Sequence, residues 1–400
     1  MTSTIIISLC ILLLLAYVFD ITSSKTKIPS VILLLSLGYA VKQISILFDI
    51  TIPNLTPILP ILGTIGLILI VLEGSLDLEL NKSKLPIIGK SSIIALVPMI
   101  ITSFGLAFAF QHYGGTTFKI GLANAIPFAI ISSAIAIPSA RNLLSKNKEF
   151  VTYESSLSDI FGVLFFNFIV LNDFISTKSV ATFLLQLLIM LVVSFLATLS
   201  LSFFLNKIKH HIKFVPIILM IILIYAISKV YHLPALIFIL LFGLTLGNID
   251  ELRGFKFMKQ FHPVDFDPEF HKFRELTTEM AFLIRALFFL LFGFLIETAE
   301  ILNTETIVWA LVITAGIFVL RFIFLKIFKF KSNPLLFIAP RGLITILLFL
   351  SIPVGQTLTL ANKSLIIQVI FLTTLVMMFG LMKHKKNEAD NTGHHLDQSI

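Results

Sequence analysis

Stretches of about 20 mostly apolar residues recur from one end of this chain to the other, each long enough to cross a hydrocarbon core of about 30 Å as a helix. No other feature limits the fold as strongly, because in lipid every backbone N–H and C=O must be bonded within the protein. Thirteen candidate spans can be drawn, near 4–20, 28–47, 55–76, 90–113, 117–144, 151–176, 179–205, 214–230, 233–249, 275–297, 304–328, 334–354 and 362–382. Composition agrees: 57% of the 400 residues are apolar and 13% charged, with a mean hydropathy of +1.01, where a soluble chain carries about 25% charged residues. The expected class is an all-α integral membrane protein of about 13 transmembrane helices.

The opening "MTSTIIISLCILLLLAYVF" has no basic residue and no small-residue cleavage pattern, so it reads as a first span rather than a signal peptide. Cys10 stands alone, which excludes an intramolecular disulfide and a CxxC site. The net charge of +8 could suggest nucleic acid, but its placement points to a bilayer. Sorted by the side each connection must face, 22 Lys and Arg fall on one side, and only Lys119, Lys178, Lys229 and Lys363 on the other. The remaining four, Lys42, Arg285, Arg321 and Arg341, lie within spans. The basic side is cytoplasmic under the positive-inside rule, so the N-terminus is expected outside and the C-terminus inside.

Connections are short and leave no room for a soluble enzyme domain. The longest, 250–274, reads as a linker along the membrane surface, and the polar tail from Lys383 as disordered. The transporter domain is thus expected to span 1–383 and the short cytoplasmic tail 384–400. His394 and His395 are too isolated to hold a metal, and no cofactor is expected.

Two spans carry helix breakers at their middles: the fifth reads "ISSAIAIPSA" with Pro138, the twelfth "IAPRGLI" with Pro340 and Gly342. Both are expected to be broken or strongly kinked. An odd offset of seven spans makes them cross in opposite senses, as inverted repeats require, and paired discontinuous helices point to a transporter's midplane site. Two incidental proline kinks would explain either span alone.

Charges inside spans cost roughly 2.5–3.5 kcal/mol each at a helix centre and persist where they pair or line a wet cavity. This chain keeps Glu73, Glu154, Asp159, Arg285, Arg321 and Arg341 there. In "YESSLSDIFG", Ser155, Ser158 and Asp159 are spaced i, i+3, i+4 and share one helix face. That face gathers hard oxygens suited to an alkali cation. Glu154 points away and needs a partner of its own, for which an arginine of another span would serve. For Glu154 a structural ion pair is the simpler reading. For Asp159 it is not, since its neighbours are neutral oxygens. A carboxylate shielded from bulk water can exchange a proton for a metal cation, and with access alternating between the two sides that exchange is antiport.

At this point the motifs resemble the monovalent cation:proton antiporters, in particular the bacterial Na⁺/H⁺ exchangers. "YESSLSDIFG" is similar to the family's Glu-Ser-x-x-Asn-Asp signature, "IGLILIVLEGSLDLEL" to its third span, "TEMAFLIRALFFLLFGFLIE" to its tenth and "APRGLI" to the Arg-Gly motif of its second crossing. The resemblance implies Asp159 as the ion- and proton-binding carboxylate, with Ser155 and Glu73 beside it and Arg321 as partner of Glu154. It implies a core (spans at about 90–176 and 304–382) with spans 5 and 12 crossing, moving against a dimerisation scaffold in a homodimer of the bacterial inner membrane. Ser158 stands where this branch usually has Asn and the electrogenic branch a second Asp, which implies one titrating site and a 1:1 electroneutral exchange of Na⁺, K⁺ or Li⁺ for H⁺. Ser133 stands where an aspartate is common. Arg341 could pair with a carboxylate, compensate half-helix C-termini or line the cytoplasmic funnel, and the sequence names no partner for Arg285. An organic-anion symporter on the same crossed-helix fold is the rival, with Arg341 available for a substrate carboxylate. A membrane enzyme is the weakest class, for which His262 and His271 are poor candidates.

Overall fold

The computed structural model describes residues 2–396 apart from 27, 51, 53, 79–82, 173–175, 208–213, 232 and 249–265. Among the described residues all regular structure is helical. The first half comprises α1 (Thr2–Thr26), α2 (Ser30–Leu47), α3 (Ile58–Leu76), α4 (Leu85–Gly114), α5 (Phe118–Ala129), α6 (Ser133–Ser139), α7 (Ser145–Leu171) and α8 (Thr177–Lys207). The second comprises α9 (Phe214–Val230), α10 (Leu236–Gly247), α11 (Phe266–Phe294), α12 (Thr298–Ile301), α13 (Thr304–Ile327), α14 (Ser332–Leu335), α15 (Leu343–Leu350) and α16 (Lys363–Leu396). Nine of the described stretches are long and apolar enough to cross a membrane, with Phe118–Ser139 counted as one, and three shorter apolar helices accompany them. Every predicted span is occupied by helix.

Boundaries differ in three places. Helix α7 begins at Ser145 rather than near 151, so Glu154 and Asp159 sit in its middle and not at its opening. The segment "SKNKE" is polar but holds no breaker, and a helix nucleated by its buried part extends cheaply through it. Helix α16 likewise runs on to Leu396, through the tail expected to be disordered; its Lys, Glu and Ala residues favour helix. Most of the predicted surface linker 250–274, with Glu79 and His262, lies outside the described residues, and its last part forms the start of α11.

Two groups of helices recur in the packing. Helix α4 packs on α5 and α7, α5 and α6 pack on α7, and α13 packs on α4 and α16. Helix α11 packs on α2 and α3, and α10 on α3 and α8. Helix α3 touches both groups, meeting α6, α7 and α15. The fifth span is the most enclosed, 89% buried, and α8 the least, at 11% of its window. Exposed Leu14, Phe108, Leu188, Leu223 and Val319 line the outside, where acyl chains take the place of water.

The fifth and twelfth spans are both broken. Residues 130–132 separate α5 from α6, and 336–342 separate α14 from α15. The breaks cross, and the Ser132 N–H donates to the Pro340 carbonyl across them at 2.9 Å.

Close approach elsewhere depends on glycine. Gly38 of α2 and Gly293 of α11 face one another, and a Cβ on either would collide with a backbone carbonyl, Leu290 O or Leu35 O. Without a hydrophobic drive between helices in lipid, such small-residue contacts supply the packing. Gly38→Val is expected to cost about 1–3 kcal/mol through overpacking. A lower melting midpoint of the detergent-solubilised protein would register it, and an unchanged midpoint would mean the helices part without penalty.

Candidate functional site

The site forms where α7 passes the crossing. Asp159 is 1% exposed. Its Oδ2 accepts a short hydrogen bond from the Ser133 hydroxyl and a second at 3.3 Å from the Ser133 N–H, the first residue of α6. Its Oδ1 is buried and has no hydrogen-bond partner, and among the described residues no cation pairs with it. Ser132, the residue before Ser133 in the break, likewise has a buried hydroxyl with no partner. Two uncommitted oxygens in a dry interior are unusual, because a buried polar group is normally bonded.

Two serines of α7 near Asp159 are committed. Ser158 accepts from the Ile131 N–H at 3.0 Å, which satisfies a donor freed by the break. The Ser155 hydroxyl donates to the Val151 carbonyl of its own helix at 2.7 Å, leaving only its lone pairs for any ion. One turn away, Glu154 holds Arg321 of α13 in a two-pronged pair at 2.5 and 2.8 Å. Arg321 Nε reaches the Leu335 carbonyl at 2.8 Å, so this pair fastens α7 to α13 and to the end of α14.

Arg341 lies in the second break. Its guanidinium donates to the carbonyls of Phe128 (2.6 Å), Ala129 (3.2 Å) and Ala339 (2.9 Å), while its N–H meets Thr373 Oγ1 at 3.1 Å. Phe128 and Ala129 end α5, so Arg341 places a cation at the negative end of a half-helix. Of the three roles open to Arg341, this is the one its contacts describe.

Glu73 of α3 stands across the contact between the two helix groups. It lines a cavity of about 230 Å³ together with Ser133, Asp77, Arg141, Arg274 and Arg285. Arg285, for which the sequence offers no partner, lies 3.9 Å from Glu73. The cavity reaches Ser133 from the Lys- and Arg-rich side of the protein. Among the described residues no cluster of three or more His, Cys, Asp or Glu could hold a transition metal.

Ser133, Ser158 and Asp159 are thus brought together at the crossing, while Glu154 with Arg321, and Glu73 with Arg285, form separate pairs. Sequence reasoning passed over Ser132 and Thr373. Ser132 could have been found as the residue preceding Ser133 in the break, but Thr373 carries no signal beyond being a polar residue in an apolar span.

Removing one partner of a buried pair strands the other charge, at a cost of about 3–5 kcal/mol. Glu154→Gln is therefore expected to lower the yield of folded protein and its melting midpoint, with Arg321→Met in the same chain restoring part of the loss. A fully stable Glu154→Gln would mean that Arg321 has another anion within reach.

Among curated proteins none matches the chain. Solved structures of the sodium proton antiporter MjNhaP1 from Methanocaldococcus jannaschii share its fold. One, at pH 8, aligns at 19% identity with a TM-score of 0.68 over 96% of this chain and 99% of that one. Another, from an electron-microscopy map, aligns at 19% identity with a TM-score of 0.71 over 95% of each chain. The family described as sodium/hydrogen exchanger, transmembrane, matches residues 10–383. With nearly the whole chain matched, its helices broken and crossed, and a carboxylate at the crossing, this protein belongs to the sodium/hydrogen exchanger family of membrane transporters.

Proposed function

We propose that the protein exchanges a monovalent cation, Na⁺ or alternatively K⁺ or Li⁺, for protons, with Asp159 holding one or the other in turn. The observation that carries this reading is the buried Asp159 with one oxygen bonded to Ser133, one oxygen uncommitted and no fixed cation beside it. A permanent ion pair would leave no vacancy for a transported ion. Asp159 Oδ1 and Ser132 Oγ supply the hard oxygens an alkali ion takes, with lone pairs of Ser155, Ser158 and Ser133 within the same helix contacts. Of Glu73, Glu154 and Asp159, Asp159 is the one with no cation paired to it among the described residues, since Glu154 is held by Arg321 and Glu73 faces Arg285. One exchangeable site supports a 1:1, electroneutral stoichiometry.

Motion is assigned to the group of α4–α7 and α13–α16 sliding against α1–α3 and α8–α11, with α3 as the contact between them, in a homodimer. The Lys- and Arg-rich face, with the cavity that leads to Ser133, is assigned to the cytoplasm of a bacterial cell, and the N-terminus to the outside. pH homeostasis is the physiological role that fits such an exchange. The rival organic-anion symporter needs a free cation for a substrate carboxylate. Arg341 has its guanidinium taken up by three backbone carbonyls, which favours the cation reading.

Proteoliposomes with an internal pH dye test it. Na⁺, K⁺ or Li⁺ added under an imposed pH gradient is expected to move protons through the wild type, with rates indifferent to a membrane-potential clamp. Asp159→Asn, which keeps size and hydrogen bonding but loses the charge, is expected to fall to the level of empty liposomes while inserting normally. Exchange near the wild-type rate in that variant would remove Asp159 from the mechanism.

A further inference from the structure

Three guanidiniums around the cavity below Ser133 each face a carboxylate, and Lys148 lines the cavity beside them. Arg274 meets Asp77 at 2.5 Å and Arg141 meets Asp20 at 3.1 Å. Both guanidiniums are more than 40% exposed, and such pairs are weak and replaceable by water. The Glu73–Arg285 pair is different on two counts. It is the deepest of the three guanidinium pairs, with Arg285 only 6% and Glu73 18% exposed, and it is the loosest, at 3.9 Å. That separation is too long for a hydrogen bond. Arg285 has a charge within reach and does not close on it. A cation entering through this cavity to reach Asp159 passes Glu73, and finds its charge already answered.

We propose that Arg285 is a built-in competitor for the transported cation: a tethered guanidinium that cancels Glu73 electrostatically and thereby sets the apparent cation affinity of the site. This rests on the cation:proton exchange reading above and concerns the ion's approach rather than the exchanging carboxylate. Arg285 is a positioning charge, and the carboxylate it faces is Glu73 rather than Asp159. The consequence follows from the net charge of the pair. With both present it is neutral. With Arg285 neutralised the cavity gains a negative charge on the path of a cation, and with Glu73 neutralised it gains a positive one. A unit charge several ångströms from the path in a partly wet cavity changes cation occupancy by about three- to tenfold.

The test measures the cation concentration giving half-maximal proton movement in proteoliposomes at one fixed pH, for wild type, Arg285→Gln, Glu73→Gln and the double variant. Arg285→Gln is expected to lower that concentration about three- to tenfold, Glu73→Gln to raise it by a similar factor, and the double variant to return close to wild type. Arg285→Lys keeps the charge and is expected to stay within about twofold of wild type. Because surface charges are screened while buried ones are less so, the Arg285→Gln shift is expected to persist in 0.15 M choline chloride.

A pair that merely fastens α3 to α11 would instead impair both single variants in the same direction and shift their maximal rates rather than their half-saturation points. That result, or an Arg285→Gln indistinguishable from wild type, overturns the proposal. If Arg285→Gln does not insert, Glu73→Gln against the double variant carries the same sign test, since loss of Arg285 must still improve affinity there. Failure of the exchange reading itself would look different, since the wild type would then move no protons with any alkali cation.

Discussion

Breaking a helix inside a bilayer releases backbone donors and acceptors where no water can take them, and everything else at the centre of this protein answers that requirement. The Ser132 N–H is bonded by the Pro340 carbonyl of the other break, the Ile131 N–H by Ser158, and the Ser133 N–H by Asp159. The carbonyls of Phe128 and Ala129 at the end of α5 are bonded by Arg341. The two crossed breaks thus satisfy each other, with help from α7 on one side and from Arg341 on the other.

This accounting shows how one carboxylate can hold the fold and still keep an oxygen for the exchange proposed above. Asp159 uses one oxygen to hold the start of α6 and keeps the other free. Glu154, five residues earlier on the same helix, has both oxygens on Arg321 and none to spare. The difference between an anchor and a binding group lies here in how many lone pairs the fold has already claimed. Burial is the same for both, about 1% exposed, so burial alone does not separate their roles.

The contact between the two helix groups passes through α3, and Glu73 sits on it beside the cavity that leads to Ser133. Its guanidinium neighbour Arg285 comes from α11, in the same group as α3. On the exchange mechanism proposed above, a charge pair in that position would stay with the scaffold and face the ion path, whereas the Asp159 cluster would move with the crossed helices. That mechanism would thus divide the electrostatics of the approach and the chemistry of the exchange between different helices.

Much of the fold was legible along the chain. Hydrophobic length alone marked every span, and Pro340 and Gly342 marked the second break, whereas the first falls at 130–132 and Pro138, which was expected to cause it, lies inside α6. Such effects are local, and local effects can be read from a string. Partnership could not be read that way. Glu154 and Arg321 are separated by 167 positions, and several arginines were in principle available. Ser155 and Ser158 lie on the same face as Asp159, yet one turns to the Val151 carbonyl and the other serves Ile131. A hydroxyl rotates to whichever acceptor or donor is left over, and a long guanidinium reaches for whichever oxygen is unsatisfied. Spacing along one helix decides which side chains share a face; which of them is already spoken for is decided by the helix that crosses it.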